Sequence, residues 1–148
     1  MTPDQAHGLI TQERIRQVEV EGWDDAHDDA HSDGSLLRVA VLYYQNAGFQ
    51  KWAGEPVPLA LRDDGAPEGF PWDREWWKPK TPLRDLVRAG ALCVAEVERR
   101  MRAGRRRAKE PLRYGSEIVP AVGPVEHKLS LIVAALCTLD APQQTSSV

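Results

Sequence analysis

TPLRDLVRAGALCVAEVERRMR, residues Thr81 to Arg102, carries the longest run of helical signals in the chain. Thr81 followed by Pro82 is an N-cap and N1 pair, because the threonine oxygen accepts a free backbone amide while proline has none to lose. Behind them Leu83, Leu86, Val87, Gly90, Val94, Val97 and Met101 recur at helical spacing, which predicts an amphipathic helix over residues 82–103. The basic stretch Arg99 to Lys109 suits the negative end of the helix macrodipole and predicts a stop near Gly104.

Upstream, SLLRVAVLYYQNA from Ser35 is apolar on most sides, with Ser32 or Asp33 as a cap and Gly48 as a stop. It predicts a central helix over 34–47. Thr11 reads as the N-cap of a first helix over 11–22, with Ile10 and Ile15 as its staple and Ile15, Val18 and Gly22 as its buried stripe. The alternation Val18 to Glu21 also suits a short strand. From Gly48 to Pro82, Gly and Pro are too frequent for regular structure, and a long loop inside a domain is usually functional. LSLIVAALCTL, Leu129 to Leu139, is a buried helix or a strand; its periodicity does not decide. The expected fold is mainly α, a small helical domain of three or four helices with a long Trp/Pro-rich loop. Residues 1–103 form the helical domain, and 104–148 a weakly defined extension with a disordered end at PQQTSSV.

With 148 residues and 42% hydrophobic content, the chain is long enough for one ordinary core. The net charge of −3 hides an asymmetry. Residues 1–33 are rich in Asp and Glu, with Arg14 and Arg16 as their only Lys or Arg, while the basic residues gather from Arg99 to Lys109. Cys93 and Cys137 have neither disulfide-framework nor metal spacing. MTPDQAHGLI lacks the basic and apolar regions of a secretory signal, and no apolar run approaches a membrane span. A cytoplasmic protein without membrane contact is expected.

EGWDDAHDDAHSDG, Glu21 to Gly34, packs Asp24, Asp25, Asp28, Asp29 and Asp33 around His27 and His31. The histidines stand i, i+4, a spacing that brings two rings to one helix face beside Asp28 and can hold a divalent ion. At about 100° per residue, Glu98 falls about 40° from the centre of the Leu83–Val94–Met101 stripe, with Glu96 on the far side. Glu19 lies near the Ile15–Val18–Gly22 stripe. Glu19, Asp28, Asp29 and Glu98, with His27 and His31, are therefore the candidate metal ligands, and carboxylates favour Mg²⁺ or Mn²⁺. The competing reading makes the aspartates helix caps and the glutamates partners of arginines such as Arg16 or Arg102. FPWDREWWKPK, Phe70 to Lys80, supplies Trp72, Trp76 and Trp77 to stack on a base, with Lys78 for phosphate and Trp23 nearby in sequence to the acidic run. Such a loop also packs as a lid on a core. A pI near 5.8 and the lack of a nucleic-acid motif argue against a nucleic-acid partner for the basic run.

ERIRQVEVEGW, HDDAHSDGSLLRVAVLYY, FPWDREWWKP and LRDLVRAGALCVAEVERRMR, in this order, resemble a family of small phage and prophage proteins across residues 10–103. That family is distantly similar to the all-α nucleoside triphosphate pyrophosphohydrolases of the MazG type, whose ExxE and ExxD sets bind Mg²⁺. Here no ExxE occurs, and Glu21 to Asp24 is the ExxD. The resemblance implies a phage-type, hydrolase-like nucleotide-handling protein in the host cytoplasm, a divergent Mg²⁺-dependent pyrophosphohydrolase. The alternatives are a non-catalytic binder that sequesters a nucleotide or blocks a host protein, and a structural helical homo-oligomer.

Overall fold

Thr81 and Pro82 open the helix their order predicts: the Thr81 hydroxyl accepts from the Arg84 amide at 3.2 Å. The computed structural model describes residues 1–49, 58–111 and 119–139. Among the described residues five α-helices follow one another: α1 Pro3–Glu19, α2 Asp25–Asp29, α3 Ser35–Asn46, α4 Pro82–Ala108 and α5 Gly123–Leu139. The domain is mainly helical, without a strand among the described residues. Among its described residues the Gly/Pro-rich loop contributes a bridge between Leu61 and Pro67 and a 3-10 turn at Arg74–Trp76. The end segment PQQTSSV lies outside the described residues.

α4 is the axis of the fold, and α1, α3 and α5 all pack against it. Three neighbours need burial on more than one stripe, and the small residues Ala89, Gly90, Ala91 and Ala95 let them approach beside Leu86, Val87 and Leu92. The predicted stripe is therefore rotated: its end members Leu83 and Met101 are 36% and 48% exposed. The helix also runs past Gly104 to Ala108, so the boundary drawn at residue 103 falls inside it. Val125, Ile132, Val133, Ala135 and Leu136 of α5 join the same core, which corrects the reading of the C-terminal part as an extension and makes LSLIVAALCTL a helix.

α1 departs most from expectation. It starts eight residues before its predicted first turn, at Pro3, because Thr2 and Gln5 form a complete capping box. Thr11 is an interior position. Ile15 and Val18, the predicted core stripe, are 50% and 39% exposed. The buried face instead holds Ala6, Ile10, Glu13, Arg14 and Gln17. Glu13 turns inward because its carboxylate meets Arg16 on its own helix and Arg84 of α4 at 3.7 Å. Charge pairing across the interface outweighs apolar spacing here.

The crossing of α1 and α4 depends on Gly90, where a Cβ would stand 2.6 Å from Ile10 Cδ1 and 2.7 Å from Cγ1. Gly90→Ala is expected to cost about 1–3 kcal/mol through overpacking, although alanine is the better helix former by about 1 kcal/mol. In an Ile10→Ala background the clash is gone, and the same substitution should be stabilising. Urea unfolding of the four proteins in this cycle measures the change of sign.

Candidate ligand-binding cleft

Between α1 and α2 the chain turns at Gly22, φ 76°, and the Trp23 amide donates back to the Gln17 carbonyl at 2.9 Å. Asp24 caps α2 by accepting from the His27 amide at 2.9 Å. Asp33 accepts from the Ser35 amide at 3.0 Å, and these Ser35 contacts hold its carboxyl below the ordinary range. Capping, the competing reading of the acidic run, describes these two aspartates.

Asp28 is different. Fully buried, it accepts from Arg14 at 2.5 Å and faces His27 Nδ1 at 3.0 Å. A carboxylate accepts only, so the His27 Nδ1–H is the donor of this pair. Arg14 also donates to the Trp23 carbonyl at 3.2 Å, so one guanidinium sets both Trp23 and, through Asp28, His27. His31 Nδ1 pairs with the Ser35 hydroxyl at 3.1 Å. Burial first, and the nearby His27 second, push His31 below the ordinary histidine value, which makes it neutral at pH 7.

The opposite wall comes from the loop. The Tyr43 hydroxyl accepts from the Lys78 amide at 2.9 Å and from Arg88 at 3.2 Å, and donates to the Trp76 carbonyl at 3.4 Å. Arg88 adds a 2.6 Å bond to the Lys78 carbonyl. Trp77 is buried and stacked on Tyr43 at 4.5 Å. These contacts fasten the 3-10 turn over α3 and α4, so Trp72 and Trp76 are presented across from α2. Tyr43→Phe should cost about 1–3 kcal/mol, because it removes a buried hydroxyl from its partners. Amide exchange at Trp76 to Lys78 should rise more than in α3, which locates the loss in the loop.

Trp23, His27, His31, Trp72, Asp73 and Trp76 line a cleft of about 290 Å³. Trp23 stacks on His27 with centroids 5.3 Å apart and planes within 1°. His27 meets His31 at 4.8 Å, and His31 meets Trp72 at 5.2 Å. Trp72 and Trp76 stand 5.9 and 6.1 Å from Trp23, inclined to it by 72° and 52°. Of the predicted ligand contacts, Trp23, Trp72 and Trp76 are brought together. Trp77 belongs to the core, and Lys78 is not among the lining residues; its ammonium lies 5.2 Å from the Trp76 ring centroid. Asp73, which the sequence reading passed over, enters the cleft because the loop turns directly behind it.

The predicted metal ligands are divided. Among the described residues no three His, Cys, Asp or Glu side chains are grouped to hold a metal ion. Asp28 and Glu98 share Arg14, and Asp29 pairs with Arg102 at 2.9 Å and Arg106 at 3.3 Å. Glu19 is exposed in a separate shallow groove with Arg14, Val18, Asp25 and Glu98. The inward glutamate of α4 is Glu96, fully buried, while the Glu98 side chain is 47% exposed, the reverse of the helical projection. His27 and His31 stand together, in the aromatic cleft rather than among these carboxylates.

Fold and cleft define a small all-α domain with an open aromatic site between a short acidic helix and a Trp-bearing turn. Comparisons with protein-family models, with curated proteins and with solved structures found no match. The function is therefore read from the cleft itself. Among the described residues, no helix is long and apolar enough to cross a membrane.

Proposed function

We propose that the chain is a non-catalytic binder of a small organic ligand, with the Trp23–His27–His31–Trp72–Trp76 cleft as its site. The observation that carries this reading is the aromatic lining of an open cleft whose walls are fastened from behind by Arg14, Asp28 and Tyr43. Its volume of about 290 Å³ stands at the small end of ligand sites. Trp76, 38% exposed, and the partly buried Trp72 leave ring surface open beside the buried Trp23, and a ligand can supply the missing contacts; a nucleotide base is one such group. The arginine-bound carboxylates favour binding over metal-assisted hydrolysis.

The test is a titration with nucleosides, nucleotides and small organic cations in the presence of a chelator, read by thermal midpoint and tryptophan fluorescence. Saturable binding raises the stability of the folded state by about 2.7 kcal/mol at a hundredfold excess over Kd. A shift without turnover supports the reading. Pyrophosphate release that requires Mg²⁺ overturns it in favour of a hydrolase.

A further inference from the structure

We infer that the cleft selects a cation, an alkylated ammonium group, and that Asp73 is its counter-ion. The inference rests on the cleft being a ligand site, and it names the class of ligand. Ring arrangement is the first argument. A flat base is held between parallel rings with a ring's thickness of space between them, but Trp72 and Trp76 are inclined 72° and 52° to Trp23 and already touch it, at 5.9 and 6.1 Å. Walls at steep angles make a box, and a box suits a compact, nearly spherical group. A cation within about 6 Å of a Trp centroid is drawn to the negative face of the ring.

Charge is the second argument. The side chains that line the cleft include one carboxylate, Asp73, and no Lys or Arg; Lys78 and Arg88 line the small cavity behind it, which shares Trp23, Trp72 and Trp76. Asp73 is exposed, opens the 3-10 turn without a side-chain capping bond, and makes no ion pair among the described residues. Its carboxylate is therefore available to a ligand. His31, held below its ordinary value, does not compete as a cation at pH 7. The Lys78 ammonium lies 5.2 Å from the Trp76 ring centroid, outside the lining of this cleft.

The experiment compares choline with its neutral carbon isostere, 3,3-dimethylbutan-1-ol, on the full chain at pH 7.5. Calorimetry gives the affinities, and the five tryptophan indole N–H signals in NMR locate the site. The expected result is at least a tenfold preference for choline, with shifts at the indoles of Trp23, Trp72 and Trp76 and not of Trp77. Trp76→Ala, at a 38% exposed position, should lower choline affinity at least tenfold with an unchanged helical spectrum. Asp73→Asn should lower it at least threefold and leave the isostere unaffected. Equal binding of the isostere, or binding of nucleosides in place of choline, overturns the cation assignment and leaves the cleft a ligand site. No indole shift with any of these probes overturns both.

Discussion

Arg14→Met is expected to lower the free energy of unfolding by about 3–5 kcal/mol, the range for breaking a buried ion pair from one side. Arg14 is 8% exposed and Asp28 is not exposed at all, so the substitution leaves a buried carboxylate with His27 as its remaining partner. Methionine fills much of the removed volume, which keeps a cavity from contributing to the loss. The Glu98 bond at 3.2 Å adds little, since that side chain is half exposed and its charge is screened. Urea denaturation gives the magnitude, and the double variant Arg14→Met with Asp28→Leu isolates its cause. If the loss arises from the stranded charge, the double variant should recover part of it. If the two losses simply add, the cause is packing.

The same substitution should loosen the cleft. Arg14 holds the Trp23 carbonyl directly and His27 through Asp28. The Trp23 indole signal should therefore broaden before the core methyl signals of Leu86 or Leu92 change.

α4 and α3 were legible because their signals are local. Thr81-Pro82 starts α4, and the run Leu36 to Tyr44, apolar except for Arg38, makes α3 whatever packs on it. α1 was misread because its apolar spacing and its buried face disagree. Ile15 and Val18 look inward by period, yet Glu13, Arg14 and Gln17 are inside. A hydrophobic projection gives charged residues no reason to be buried; for Arg14 that reason lies in Asp28 and Glu98, remote in sequence, and for Glu13 in Arg16 on its own helix with Arg84 of α4 behind it. The buried Gln17 side chain has no hydrogen-bond partner among the described residues. The charge asymmetry was visible, but its meaning was not. The acidic segment and the basic helix end are partners, with Asp25 and Asp29 against Arg102 and Asp29 against Arg106. The aromatic cleft was half legible, since composition marked both tryptophan stretches. Only the fold of the loop around Tyr43 decided that Trp77 goes inside while Trp76 faces the cleft.

Glu96 and Glu98 give the most direct test of how α4 is oriented, because projection and structure exchange their places. Glu96 is fully buried and accepts from Arg99 at 2.6 and 3.0 Å and from Arg100 at 2.9 Å. Arg100 also donates to the Ala121 carbonyl at 2.7 Å, so the cluster fastens the segment that leads into α5. Glu96→Gln keeps the shape and removes the charge that two guanidinium groups share, one of them 3% exposed. Its expected cost is about 3–5 kcal/mol. Glu98→Gln touches a half-exposed carboxylate with one 3.2 Å partner and should cost under about 1 kcal/mol. Urea midpoints at low and high salt separate the two further: screening should shrink the small Glu98 effect and leave the Glu96 effect nearly intact, because buried pairs are shielded from mobile ions. A larger loss at Glu98 would mean that α4 presents the face its hydrophobic period predicts. The α4 packing that places Arg14, Asp28 and the cleft would then have to be rotated with it.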